Sequence, residues 1–343
     1  MLKGKYFTFV LVFVLVLATL VSVTGAGAAP KSDLSVKIST DKTSFSASEA
    51  VMLNVTISNN GKNPAKVLKW YTAVDEVEEA IFNVTRDGAS VDYVGAHYKR
   101  PDPTGQDYVS LKSGESLTRS VDLGLYYDLS ASGVYELEYN AADTGLSSNK
   151  IQLAVEGRAG APIADAVAPL AVTGSTSFTK CTVSQQSDLN TARANASTYA
   201  ANAFSYLNSI SSSTQRYAYW FGTYSAANDT KVTSNFNKIS SAMDTAAVTF
   251  NCGCKKSAYA YVYSNQPYTI YLCRAFWTAP ALGTDSKAGT LIHEMSHFTV
   301  VAGTNDYAYG QSAAHNLALT NVSQAIANAD SHEYFAENTP SLP

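Results

Sequence analysis

Hydrophobic and polar positions alternate through the first half of the chain. Seven short segments between Leu34 and Val155 have this period-two pattern, and turn sequences containing Gly or Asn separate them. Short alternating segments at this spacing predict an antiparallel β-sandwich. The predicted strands are 34–40, 51–57, 80–84, 108–111, 117–123, 134–139 and 151–155.

The second half has a different pattern, in which apolar side chains recur every three or four residues. This spacing is typical of amphipathic helices, whereas two short apolar segments indicate strands of a small sheet. We therefore expect two domains, an all-β sandwich followed by a mainly helical α+β domain with a small sheet. The predicted helices are 187–210, 234–247 and a helical stretch from 286 onward, and the predicted strands are 259–263 and 268–272.

The first 28 residues have the composition of a secretory signal peptide. Lys3 and Lys5 precede an apolar run over residues 7–23, and small residues follow it. A membrane anchor is the alternative, but the small residues after the run favour cleavage near residue 28. No second run is long enough to span a bilayer. The sequence thus predicts export, with no stable membrane anchor once the signal peptide 1–28 is removed.

Small residues and prolines dominate the segment between the two patterns. This composition predicts an exposed, cleavable linker over residues 157–177. It sets the expected boundaries of the β-sandwich at 29–156 and of the helical domain at 178–343. Arg158 is the only basic side chain between Lys150 and Lys180.

Composition restricts the classes of partner. Of the 343 residues, 46% are hydrophobic, which is enough for packed cores and excludes global disorder. The net charge of -4 argues against nucleic acid as the main partner. The low charged fraction of 15% is common among secreted proteins.

Four cysteines in the second half suit an oxidising compartment. Cys252 and Cys254 flank a single glycine, so a bridge between them would be strained. Cys181 is therefore expected to pair with one of them and Cys273 with the other, and both pairings stay open. A structural zinc site is disfavoured because the spacing is not Cys-x2-Cys.

The segment Leu-Ile-His-Glu-Met-Ser-His over residues 291–297 carries the candidate chemistry. On a helix, His293 and His297 lie four residues apart on one face, where they can bind one metal ion. Glu294 lies beside them and could deprotonate a water molecule bound to that metal. A catalytic zinc site needs a third protein ligand and an open position.

The third ligand separates the classes of zinc peptidase. The metzincin pattern requires Gly and His at positions 300 and 303, where this chain has Val300 and Gly303. Glu333 and Glu337 are formally possible but distant in sequence. Asp306 follows His297 by nine residues, after a flexible Ala-Gly corner, so its carboxylate could turn back to the metal.

His-Glu-x-x-His followed by Gly-Thr-x-Asp-x-x-Tyr-Gly resembles the aspzincin metalloendopeptidases, the family of deuterolysin and peptidyl-Lys metalloendopeptidase. The similarity extends over most of residues 178–341. It implies one catalytic Zn²⁺ with His293, His297 and Asp306 as ligands, and Glu294 as the general base.

The resemblance also implies further pairings and roles. Among two neighbouring tyrosines, Tyr309 rather than Tyr307 matches the family's Tyr-Gly, which makes its hydroxyl the expected donor to the tetrahedral intermediate. A core aromatic side chain is the alternative for Tyr309. The implied disulfides are Cys181–Cys252 and Cys254–Cys273.

In the lysine-specific branch of the family, an acidic pair receives the side chain that follows the bond to be cut. The matching positions are Asp330 and Glu333, whose spacing puts both carboxylates on one helical face. A capping box at a helix start is the alternative interpretation. The remaining histidines, His97, His315 and His332, are expected to be ordinary packed or surface residues.

The whole pattern predicts a secreted zinc metalloendopeptidase that acts on proteins or peptides. Its β-domain is expected to serve as an intramolecular inhibitor, although a permanent binding module is an alternative. A strictly lysine-directed enzyme cutting before Lys could not cleave the lysine-free linker, so either another protease matures the chain or its specificity is broader. The other hypotheses are a broader, deuterolysin-like endopeptidase, and a secreted β-sandwich binding protein with a structural metal site.

Overall fold

The computed structural model describes residues 33–141, 144–157 and 174–343. The predicted signal peptide and most of the predicted linker lie outside the described residues. In the part that the model describes, no helix is long and apolar enough to cross a membrane.

The N-terminal part is rich in β-structure because its alternating pattern buries one face of each strand. In β3, Leu53, Val55 and Ile57 are buried while the intervening residues are partly exposed. Two sheets, in the orders β1-β3-β9 and β2-β11-β10-β5-β6, contribute side chains to one hydrophobic core. A separate pair joins β4 to β8. The strands are β1 (Leu34–Ser39), β2 (Ser44–Phe45), β3 (Met52–Asn59), β4 (Ala65–Leu68), β5 (Phe82–Arg86), β6 (Ala89–Ser90), β7 (Ala96–Lys99), β8 (Tyr108–Leu111), β9 (Ser116–Asp122), β10 (Gly133–Ala141) and β11 (Leu146–Val155).

The C-terminal part contains a second five-stranded sheet, in the order β12-β13-β15-β14-β7. The first three of these strands run parallel and β14 is antiparallel to β15. The two predicted strands in this region are present, and β12 begins inside the predicted linker. The new strands are β12 (Thr176–Thr179), β13 (Val248–Asn251), β14 (Ala260–Tyr263) and β15 (Thr269–Leu272).

Strand β7 joins the two parts, although it comes from the predicted sandwich. It lies at the edge of the C-terminal sheet, antiparallel to β14, with His97 opposite Val262 and Lys99 opposite Ala260. The pattern of hydrophobic residues did not predict this strand. It therefore brings N-terminal side chains into the C-terminal part, and the described residues all belong to one compact unit.

Helices cover the C-terminal sheet and surround a second hydrophobic core. A capping box of Thr182 and Gln185 starts the first helix. The third helix begins after Ser225, earlier than predicted. The hydrophobic pattern missed its first turns because they are mostly polar and exposed. The helices are α1 (Val183–Ser209), α2 (Gln215–Phe221), α3 (Ala226–Thr245), α4 (Lys287–His297), α5 (Gly310–Thr320), α6 (Val322–Ala325) and α7 (Ala329–Glu337).

Two disulfides fasten the C-terminal sheet. Cys181–Cys252 links the ends of the neighbouring strands β12 and β13, and Cys254–Cys273 joins the segments beside β14 and β15. This is the pairing that the family resemblance implies.

Helices α4 and α7 pack closely where α4 begins. The N-cap residue Ser286 donates to the Glu337 carboxylate through its amide at 2.9 Å and its hydroxyl at 2.7 Å. Its hydroxyl oxygen also accepts from the Gly289 amide at 2.9 Å. A Cβ on Gly289 would collide with the Glu337 carboxylate, so only glycine permits this approach. The contact fixes the two helices against each other.

Candidate metal and catalytic site

Helix α4 presents the His-Glu-x-x-His segment to the interior. His293, Glu294 and His297 are fully buried. Because the two histidines are one helical turn apart, they share a face, and their Nε2 atoms lie 3.1 Å from each other.

Asp306 returns to these histidines after the chain reverses at Gly303, which has a positive φ of 60°. Its Oδ1 lies 3.2 Å from Nε2 of His293 and 3.4 Å from Nε2 of His297. Zinc–ligand bonds of about 2.0–2.1 Å place the atoms of a tetrahedral site about 3.3–3.4 Å apart. The spacing of the three atoms therefore fits one zinc ion.

The hydrogen bonding of Asp306 agrees with this fit. Both of its carboxylate oxygens are buried, and neither has a hydrogen-bond partner among the described residues. A buried carboxylate is costly unless a cation compensates it. Burial would raise the pKa of Asp306, but the nearby His297 and His293 hold it well below its usual value. Imidazole nitrogens and a carboxylate oxygen are ligands that zinc prefers.

Each histidine is oriented through its second nitrogen. Nδ1 of His297 lies 2.9 Å from the carbonyl oxygen of Thr304, to which it can donate. Nδ1 of His293 lies 2.8 Å from Oδ1 of Asp330. Such contacts fix the ring orientation of metal-ligating histidines and raise their basicity. They leave both Nε2 atoms directed toward Asp306.

Asp330 and Glu333 line an acidic pocket beside the candidate metal ligands, and the side chain of Lys99 fills it. The Lys99 Nζ lies 3.1 Å from Asp330, 3.0 Å from Glu333 and 2.9 Å from Asp285. It also donates to the Tyr334 hydroxyl at 3.3 Å. Burial alone would lower the pKa of Lys99, but Asp330 and the other carboxylates raise it well above its usual value. The sequence indicated neither Lys99 nor Asp285.

The capping-box alternative for the acidic pair does not match the structure. The N-cap residue of α7 is Asn328, and Asp330 lies inside the helix. Its Oδ2 accepts from the backbone amide of Gly310 at 2.6 Å. Asp330 thus connects the start of α5, the candidate metal ligand His293 and the pocket that holds Lys99.

Glu294 lies between the metal ligands and β7. Burial raises the pKa of its carboxyl well above the usual value, while His293 and the backbone amide of Lys99 act in the opposite direction. Its carboxylate oxygens have no side-chain hydrogen-bond partner in the described residues. The peptide bond between Tyr98 and Lys99 therefore lies beside the candidate general base.

The hydroxyl of Tyr309 is hydrogen-bonded to the N-terminal part. Its hydroxyl lies 2.9 Å and 3.0 Å from the two carboxylate oxygens of Glu79. The same carboxylate accepts from Nε of Arg100 at 3.0 Å. Burial raises the pKa of Tyr309 well above its usual value, and the charge of Asp306 adds to this effect. Tyr307, its rival in the sequence, instead accepts from the side chain of Asn305 at 3.3 Å.

The three remaining histidines occupy different environments. His315 stacks on Tyr219 with ring centroids 3.7 Å apart, and His332 is buried within the helical core. His97 lies in the site instead: its ring stacks on His297 at 4.6 Å between centroids. His97 is thus a packed histidine, as expected, but the sequence did not place it in the site, because β7 comes from a distant part of the chain.

Three comparisons relate the chain to known proteins. A family model described as lysine-specific metallo-endopeptidase matches residues 206–337. An extracellular protease of Aeromonas hydrophila is 45% identical, over 86% of this chain and 90% of the relative. A peptidyl-Lys metalloendopeptidase of Armillaria mellea is 39% identical, over 84% and 88%. A solved zinc peptidase from Grifola frondosa is 46% identical over 48% of this chain and 100% of its own, with a TM-score of 0.47.

The extent of these similarities goes beyond the motif itself. The Aeromonas and Armillaria relatives align along both the β-rich and the helical part of the chain. Together with the His293, His297 and Asp306 geometry, they establish that this chain belongs to the aspzincin family of zinc metalloendopeptidases.

Proposed function

We propose that this chain is the secreted, latent precursor of an endopeptidase that cuts peptide bonds on the amino side of lysine. One observation carries the proposal: Lys99 of the N-terminal part fills the buried acidic pocket next to Glu294. Lysine preference, latency and the role of Glu294 all follow from this arrangement. The name of the Armillaria relative, peptidyl-Lys metalloendopeptidase, agrees with the lysine preference.

The catalytic roles follow from position. Bound by His293, His297 and Asp306, zinc would polarise the carbonyl of the bond to be cut and make water a better nucleophile. The Glu294 carboxylate takes a proton from the attacking water and delivers it to the leaving nitrogen. The Tyr309 hydroxyl, once released from Glu79, donates to the oxyanion that develops.

Strand β7 supports the direction of cleavage. It adds to the edge of the sheet antiparallel to β14, as an extended substrate would. The side chain of Lys99 enters the acidic pocket, and its backbone amide faces Glu294. In a substrate held this way, the bond on the amino side of the lysine lies at the general base. Cleavage before lysine is the expected result.

Charge explains why lysine is preferred. A buried ammonium ion needs compensation, because transfer of an unpaired charge from water is very costly. Asp330, Glu333 and Asp285 supply it within 3.1 Å of the Nζ atom of Lys99. An uncharged side chain would leave these carboxylates without a cation.

Latency follows from the same contacts. Lys99 fills the pocket, Glu79 binds the Tyr309 hydroxyl, and β7 covers the sheet edge. A substrate would need all three positions. The N-terminal part, residues 29–156, thus acts as an intramolecular inhibitor that must leave before catalysis begins.

The cleavage that matures the precursor is assigned to the linker at 157–177. The signal peptide 1–28 directs export. A relative named extracellular protease is consistent with export. Because residues 151–179 contain no lysine, an enzyme limited to lysine cannot cut that segment. We therefore propose that another protease removes residues 29–156. Maturation of a Glu294→Ala chain by a host protease would support this route, whereas its failure to mature where wild type matures alone would contradict it.

A peptide library tests the function. The full chain is digested in the linker with an added protease, which is then inactivated, and peptide products are identified by mass spectrometry. We expect cleavage before lysine that a chelator abolishes and zinc restores, with Glu294→Ala as the inactive control. Cleavage with no lysine preference would favour the broader deuterolysin-like specificity. No chelator-sensitive cleavage by the digested chain would favour a binding protein with a structural metal site.

A further inference from the structure

His97 occupies a position that the catalytic roles above do not explain. It precedes Lys99 by two residues on β7, so the two side chains project from the same face of the strand. Its ring is 5% exposed and stacks on His297, with centroids 4.6 Å apart and planes inclined by 25°. Tyr93 contacts it edge-on at 5.3 Å between centroids.

The ring nitrogen of His97 lies close to the metal ligands. Its Nδ1 is 3.8 Å from Oδ2 of Asp306. Ligand atoms of His97, His297 and Asp306 all lie within 4.8 Å of one another. Ligand atoms around a tetrahedral zinc ion are separated by about 3.3–3.4 Å. The separation between His97 and Asp306 is only about 0.4–0.5 Å longer than this spacing.

Two cavities lie next to His97 and the candidate ligands. A cavity of about 480 Å³ reaches His297 and Thr304, and a second of about 420 Å³ reaches Asp306. His97 lines both cavities. His97 therefore lies where these cavities meet the candidate ligands His297 and Asp306.

We infer that His97 is the fourth zinc ligand in the latent precursor, through Nδ1. Catalytic zinc sites keep one position open, whereas sites with four protein ligands are closed. An imidazole in the fourth position excludes the water that peptide hydrolysis requires. This would protect the bond between Tyr98 and Lys99, although it lies beside Glu294.

Lys99 holds the histidine in place. Its ammonium is fixed by carboxylates within 3.1 Å, and β7 is in register with β14. Cutting the linker and removing β7 withdraws His97 together with Lys99. One strand thereby closes both the metal site and the substrate pocket.

The inference rests on the proposed function, because it concerns the same metal site, but its test reads coordination instead of activity. The full-length Glu294→Ala chain is loaded with Co²⁺ and its paramagnetically shifted imidazole N–H signals are recorded by NMR. We expect three such signals, from His97, His293 and His297. His97→Ala should lose one of them, and His315→Ala, with its histidine outside the site, should keep all three.

Zinc affinity supplies the second measurement. In competition with a chelator, His97→Ala and His97→Gln should bind zinc at least about tenfold more weakly, a loss expected when coordination is disturbed. His315→Ala should match the parent chain. Circular dichroism identifies a variant that fails to fold, and His97→Gln then decides the outcome because it retains a side chain of similar length.

Different results would overturn the role of His97 and the proposed function. An unchanged N–H spectrum and unchanged zinc affinity in folded His97→Ala or His97→Gln would overturn His97 as a ligand, while leaving the endopeptidase proposal intact. Absence of chelator-sensitive cleavage by the linker-digested wild-type chain would instead overturn the proposed function. The NMR experiment does not depend on that activity.

Discussion

The Lys99 ammonium lies 3.1 Å from the Asp330 carboxylate, and both side chains are buried. The Asp330 oxygen that receives it also lies 2.8 Å from Nδ1 of His293. One carboxylate oxygen is therefore shared between the lysine pocket and the metal site. Under the proposed function, recognition of a substrate lysine and orientation of the candidate ligand His293 are linked through Asp330.

This sharing predicts different effects for the two acidic residues. Asp330→Asn should weaken zinc binding by about 10–100-fold, the usual loss when a group that orients a metal ligand is changed. Glu333→Gln should reduce lysine preference with a smaller loss of zinc affinity, because its carboxylate is 3.4 Å from His293. Chelator competition and peptide-library cleavage measure the two properties. Equal zinc affinities for the two variants would contradict the linkage.

Removing the Lys99 charge should destabilise the precursor. In Lys99→Met, the Asp330 and Glu333 carboxylates would remain buried without their cation, at a cost of about 3–5 kcal/mol in unfolding free energy. Lys150→Met is the matched control, because Lys150 binds Glu136 at the surface, and exposed pairs contribute only about 0–1 kcal/mol. Urea unfolding in a Glu294→Ala background gives both values. Similar losses for the two variants would show that the buried ammonium contributes no special stability.

The proposed donor role of Tyr309 predicts a selective loss of rate. In the linker-digested enzyme, Tyr309→Phe should lower kcat by about 10²–10³-fold, as removal of an oxyanion donor does, with little change in KM. Tyr307→Phe is the control, since its hydroxyl contacts Asn305. Steady-state kinetics on one lysine-containing peptide are sufficient. If Tyr307→Phe shows the larger fall in kcat, the two tyrosines have been assigned the wrong way round.

His332 predicts a pH-dependent stability. Burial lowers its pKa from 6.5 to about 4, although the hydrogen bond to the Asn328 carbonyl acts in the opposite direction. The folded chain keeps the ring neutral, whereas the unfolded chain takes up a proton below about pH 6.5. Stability is therefore lost as the pH falls from about 6.5 to about 4, by about 3 kcal/mol in total.

Urea unfolding between pH 4 and 7 measures this effect. The wild-type chain should lose more stability than His332→Gln over that interval, and His315→Gln should follow the wild type. Parallel curves for wild type and His332→Gln would mean that His332 is not held neutral by the fold.

The contact between α4 and α7 should be sensitive to any side chain added at Gly289. A Cβ there would meet the Glu337 carboxylate, so Gly289→Ala must separate the helices or displace Glu337 from Ser286. We expect a loss of about 1–3 kcal/mol from overpacking. Gly105→Ala is the control, because nothing lies within 4 Å of its added Cβ. Thermal unfolding compares the stabilities of the two variants. An unchanged stability of Gly289→Ala would show that the two helices accommodate the added Cβ without loss.

Several features of the fold were predictable because their signals are local. The period-two and helical patterns divided the chain into a β-rich and a helical part, and they located the start of α4. The early turns of α3 were missed because they are polar, which leaves no hydrophobic periodicity to detect. The segment over 291–297 needs only helical geometry to bring His293 and His297 together, and a short reversal returns Asp306 to them.

The sequence by itself identified the candidate metal ligands and the acidic pair, because each set depends on residue spacing within one element or one turn. Only the tertiary structure decided what faces them. His97, Lys99 and Glu79 lie roughly two hundred residues away, and no local pattern marks their strand or loop as part of the site. Their positions depend on pairing at the edge of β14 and on compensation of buried charge. Both are long-range effects, because they depend on which distant residues share the interior.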